Sequence, residues 1–137
     1  MNNNEFFYLV INKIKSHGFR VRAINGDKNF AGVSIPKLNI MAINLNYERP
    51  KRLSLIALHE YGHLILHTDC LSYNNFKLED EAKANKVAVN TLLHIYWEQW
   101  PCDCDVNSYF NNMAQVLDIP WFLFDDLQSA AKNKLLN

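Results

Sequence analysis

Arg52 to Leu66, RLSLIALHEYGHLIL, is the stretch on which the fold turns, because it is apolar almost all round and yet carries two imidazoles and a carboxylate. Leu55, Ala57, Leu58, Leu64, Ile65 and Leu66 predict a helix running through the core. Pro50 stands just before it, where a missing N–H suits a helix start. His59 and His63 project from one face, one turn apart, so both can offer a ring nitrogen to a single metal ion, and Glu60 flanks that face. A zinc ion held there would acidify a water molecule, and Glu60 is placed to accept the proton during attack on a carbonyl. Gly62 weakens the helix by about 1 kcal/mol relative to alanine. Its bare Cα either lets a strand or second helix approach the metal or simply serves tight packing.

Upstream of that helix, apolar positions at Phe6, Phe7, Leu9, Val10, Ile11 and Ile14 predict an amphipathic helix over 4–17, with Gly18 as its stop. Residues 19–24 alternate with period two, as a half-buried strand does, and Asn25-Gly26-Asp27 reads as a turn. A second strand is expected at 30–35 and a third from Leu38 to Leu45, the latter bordering a cleft and pairing with an extended substrate. Downstream, 69–76 reads as a short loop and Leu78 to Trp97 as a second long helix. Residues 106–117 and 121–134 read as two shorter helices, with Trp121, Phe122 and Leu123 docking on the core. No repeat or linker divides the chain, so one α+β domain over 1–137 is expected.

Catalytic zinc usually takes three protein ligands and keeps one position open. A third histidine would have to stand at 69, where the chain has Asp69, and His67 lies about 12 Å along a straight helix from His59, too far to share an ion with it. His67 is therefore expected to pack or to support a ligand. Glu81 is the best third ligand, because it opens a stripe with Ala84, Asn85 and Ala88 whose small residues would let the second helix lie against the first. Glu79 and Asp80 compete with it, and all three acidic residues also suit a helix N-terminus electrostatically. Asn85 could hydrogen-bond His59 or His63 across the interface. Tyr61, Tyr73, His94, Tyr96 and Tyr109 can each donate a hydrogen bond to a developing oxyanion, and spacing does not choose among them.

Ala57 to His67 followed by Glu81-Ala82-Lys83-Ala84-Asn85-Lys86-Val87-Ala88 resembles the ImmA/IrrE-type metallopeptidases, in which an AHELGHLLLH-like helix is coupled to an ExxAN-like helix. The resemblance is firm over 47–93 and implies a zincin-like domain, with a small sheet packed against the two helices. It further implies His59, His63 and Glu81 as zinc ligands, Glu60 as the general base, and His67 as a trailing histidine outside the ligand set. Val87 stands where that family usually has phenylalanine, and Thr91-Leu92-Leu93-His94 departs from its usual Leu-Leu-Met-Pro. The implied activity is that of a zinc endopeptidase of a bacterium or mobile element, cutting a regulatory protein such as a helix-turn-helix repressor. The alternative is a zinc-stabilised protein that sequesters such a partner without hydrolysis.

Composition narrows the partners. Lys plus Arg and Asp plus Glu each total 14, so the net charge is zero and no global field points to nucleic acid or an anionic membrane. Residues 1–58 hold nine basic and three acidic residues, and 59–137 hold five and eleven, a split that an ordinary solvated surface accommodates. With no leader-like segment, no spanning run and no recognition motif, the chain reads as cytoplasmic, without a membrane or a direct nucleic-acid partner. Cys70, Cys102 and Cys104 are an odd number with no secretory context, so reduced thiols are expected.

Overall fold

The computed structural model describes residues 3–66, 77–102 and 105–136. The loop expected over 69–76, together with His67, Cys70 and Cys104, lies outside them.

Helix α1, Asn3–Ser16, buries Phe6, Val10, Ile11 and Ile14, which recur at helical spacing along one face. Gly18 ends it with φ of +89°, a left-handed conformation glycine adopts without a Cβ penalty. Strands β1 (Arg20–Ile24), β2 (Gly32–Ile35) and β3 (Ile40–Asn44) form one sheet in the order β1-β3-β2. β1 runs parallel to β3 from Arg20 opposite Ile40 to Ile24 opposite Asn44. β2 runs antiparallel to it, with Ser34 opposite Met41.

β3 is thus the central strand, hydrogen-bonded on both sides, and the expectation that it receives an extended substrate is wrong. A strand with both edges paired has no main-chain groups left to offer. It also begins later than expected, because Pro36–Leu38 form a single 3-10 turn and Asn39 closes it in the left-handed region at φ 54°. Proline fixes the entry to that turn, and Leu38 is left exposed on it.

Asn44, fully buried at the end of β3, organises the β1–β2 connection. Its Oδ1 accepts from the amides of Gly26 (2.8 Å) and Asn46 (3.0 Å), and its Nδ2 donates to the carbonyls of Asp27 (2.6 Å) and Phe30 (2.7 Å). All four hydrogen-bonding positions of the amide are used, which removes the penalty of burying it. The reverse turn is consequently at 27–30, where the Phe30 amide donates to the Asp27 carbonyl, rather than at 25–27.

Pro50–Arg52 form a 3-10 turn that leads into α2, Leu53–Leu66. α2 packs against α1, β2, β3 and, most extensively, α3 (Leu78–Gln99), so it forms the spine of the molecule. Ile65 and Leu66, expected in the core, are about two-fifths exposed at its end. Helix α4, Val106–Val116, begins with Asp105 accepting the Ser108 amide and buries Tyr109 and Met113. A 3-10 turn at Trp121–Leu123 precedes α5, Phe124–Leu136. Leu123 docks on the core, whereas Trp121 (79% exposed) and Phe122 (59%) do not. With three residues per turn, only one of the three consecutive side chains can face inward. The result is an α+β fold, a small three-stranded sheet packed against several helices, and among the described residues no helix is long and apolar enough to cross a membrane.

Candidate metal centre

Close approach of two helices creates the site. A Cβ built on Gly62 of α2 would stand 2.9 Å from the carbonyl oxygen and 3.0 Å from the Cα of Ala84 on α3. Ala84 and, one turn on, Ala88 are both fully buried. The bare Gly62 therefore admits the second helix, one of the two roles its sequence position allowed.

That approach brings Glu81 to the two histidines. His59 Nε2 lies 2.8 Å from Glu81 Oε2, His63 Nε2 lies 3.1 Å from Glu81 Oε1, and the two Nε2 atoms are 3.2 Å apart. One ligand atom from each of the three residues falls within 4.8 Å of the others. Asp80 is otherwise engaged, its carboxylate accepting the Lys77 amide at the start of α3 (2.9 Å), and Glu79 is exposed. Glu81 is the acidic residue that joins the cluster.

The donor set fits a divalent cation. Asn85 Oδ1 is 2.7 Å from His59 Nδ1, and an amide oxygen can only accept, so Nδ1 carries the hydrogen and, in the neutral ring, Nε2 is left with its lone pair. That lone pair faces a carboxylate oxygen and a second imidazole. Lone pairs aimed at one point repel unless a proton or a cation lies among them, and two imidazole nitrogens with a carboxylate suit zinc and related metals. His63 is 1% exposed, whereas the side chains of His59 (20%) and Glu81 (41%) open the cluster on one side.

Glu60, 8% exposed, sits one residue round the helix from His59. Burial pushes its carboxyl above the ordinary carboxylate range; His59 and the Ser34 hydroxyl pull it back, and Glu81 adds to the rise. Ser34, on β2, is fully buried and donates to Glu60 Oε1 at 2.9 Å. Sequence reasoning passed over this serine. The signal was a lone hydroxyl between Val33 and Ile35 in an apolar strand, since a buried hydroxyl requires a partner.

None of the described oxyanion candidates joins the cluster. Tyr61 points to the opposite side of α2, its ring 5.8 Å from His17 and 5.7 Å from Phe19, and burial raises its phenol. Two residues of helix turn it about 200° away from His59. Tyr96 is in the aromatic core with Phe6, Trp100 and Tyr109, and the Tyr109 hydroxyl donates to the Trp100 carbonyl. His94 pairs with Glu98 on the exposed side of α3, and Tyr73 lies outside the described residues.

No protein-family model, no curated protein and no solved structure matches this chain, so its affiliation rests on the site itself: a His59-His63-Glu81 cluster capable of coordinating a divalent metal ion.

Proposed function

We propose that the chain is a zinc-dependent endopeptidase whose metal is held by His59, His63 and Glu81 and whose general base is Glu60. The observation that carries this reading is the buried Glu60 carboxylate beside the cluster. Oε1 is tied to Ser34, and among the described residues Oε2 takes no hydrogen bond. A site built only to bind a metal has no use for a second carboxyl buried at such expense in desolvation.

Zinc bound there supplies Lewis acidity toward a water molecule and a peptide carbonyl. The residues do the rest. His59 and His63 present nitrogens from a helix fixed in the core, and Asn85 holds the His59 ring in one tautomer. Glu60 takes a proton from water as the oxygen adds to the carbonyl carbon, and returns it to the amine nitrogen as the C–N bond breaks. The edge of β2, the strand that carries Ser34, has no strand partner among the described residues and suits an extended peptide added as a further strand.

The motif resemblance to ImmA/IrrE-type metallopeptidases supports a cytoplasmic regulatory protein, such as a helix-turn-helix repressor, as substrate. A proteome-derived peptide mixture incubated with zinc-loaded protein tests the reaction by mass spectrometry of new termini. Wild type generates them and Glu60→Gln retains zinc but does not. Equal cutting by both proteins would sink the assignment of Glu60, and zinc binding without new termini would favour a sequestering role instead.

A further inference from the structure

We propose that Ser34 is the positioning residue for Glu60, holding one carboxylate oxygen from the edge strand so that the other is presented to the space shared by His59, His63 and Glu81. This rests on the hydrolytic reading above and deepens it. The contact joins residues 26 apart in the chain, one on β2 and one on α2, and both partners are buried. The terminal torsion of a glutamate is broad and nearly two-fold, so an untethered carboxylate turns easily about it. A hydroxyl fixed on a paired strand removes that freedom, and in a water-poor site a hydrogen bond to a charged group is strong.

Packing alone does not account for the serine. Val33 and Ile35 flank it, Met41 is opposite it, and alanine would fill the same place without needing a partner. Through the reaction Ser34 keeps its hydrogen and remains the donor to Oε1. Oε2 alone takes the proton from water and delivers it to the departing amine. Because β2 is also one of the two edge strands of the sheet among the described residues, a peptide added to it and the base held by Ser34 would be aligned by one element, which fixes their relative placement.

The test compares zinc-loaded wild type, Ser34→Ala and Ser34→Thr by calorimetry with two small metal ligands. Acetohydroxamate needs a carboxylate beside the metal to accept its hydroxyl hydrogen, whereas azide needs only the metal. Ser34→Ala is expected to bind zinc and azide as wild type does, and acetohydroxamate about tenfold more weakly, with Ser34→Thr restoring the difference. On the peptide mixture, kcat falls in Ser34→Ala with KM unchanged. Wild-type hydroxamate affinity in Ser34→Ala, or an equal loss for azide and hydroxamate, overturns the proposal. If Ser34→Thr does not fold, azide remains the internal control for Ser34→Ala. Absence of cleavage by wild type refutes the hydrolytic reading alone, and the hydroxamate-to-azide contrast still decides Ser34.

Discussion

Gly62 and Ala84 are in such close contact that a methyl group on the first would lie 2.9 Å from the backbone oxygen of the second. The obstacle is main chain, which cannot rotate aside as a flexible side chain would. Overpacking of this kind destabilises by about 1–3 kcal/mol, against about 1 kcal/mol regained in helix propensity. Gly62→Ala should therefore be less stable by up to about 2 kcal/mol in urea denaturation and should bind zinc more weakly, because α3 carries Glu81 and Asn85. Unchanged zinc affinity would show that the helix spacing does not govern the site.

Asn85 holds the His59 ring, its Oδ1 2.7 Å from Nδ1, and would act on a bound metal through it. Asn85→Ala should leave the fold intact and weaken zinc binding by about 10- to 100-fold, the usual effect of losing a partner that orients a histidine ligand. Asn85→Asp, which retains an acceptor, should recover most of it. Competition against a chromophoric chelator measures both, and identical affinity in the alanine variant would remove Asn85 from the site.

His63 and Glu81 should separate folding from metal binding. His63 is 1% exposed, so His63→Ala leaves a cavity and should lose about 2–4 kcal/mol even with the metal chelated away. Glu81 is far more exposed, so Glu81→Ala should change the metal-free stability little and still abolish the rise in melting temperature that zinc gives wild type. Melting curves with zinc and with chelator make the comparison, and a zinc-induced rise in Glu81→Ala as large as that of wild type would exclude it as a ligand.

The buried carboxyl of Glu60 predicts a pH effect in the metal-free protein. Its folded-state pKa is raised, chiefly by desolvation, so the folded chain binds that proton more tightly than the unfolded chain does. Its contribution is then most favourable at low pH and is lost as pH rises through the folded pKa. Metal-free Glu60→Gln should accordingly melt above wild type at neutral pH, with the gap closing on acidification. A gap that does not depend on pH would mean that Glu60 is not held out of water.

The elements and the convergence of His59, His63 and Glu81 are legible in the sequence because they follow from local spacing. His59 and His63 are one helical turn apart, and Glu81 differs from Asp80 in sharing a face with Ala84, Asn85 and Ala88; Glu81, Ala84 and Asn85 meet α2, and Ala88 is buried. What escaped depends on pairings distant in the chain. Strand order is decided by which edges meet, so β3 could not be recognised as central, and the Ser34–Glu60 contact spans 26 residues. The exposure of Trp121 turned on a 3-10 geometry that apolar composition does not signal.

Asn44 has a further consequence, for the chemical lifetime of the protein. Asn25-Gly26 is the kind of pair that ages fastest in polypeptides, when the glycine amide nitrogen attacks the preceding side chain and closes a succinimide ring. Here that nitrogen is committed to Asn44 Oδ1 at 2.8 Å, and the Leu45 amide, which would attack Asn44 itself, is committed to the Ile24 carbonyl at 2.8 Å. One buried amide thus shields an exposed asparagine from deamidation while its own backbone neighbour is shielded by the sheet, so the loop's resistance to ageing is set by hydrogen bonds rather than by its sequence.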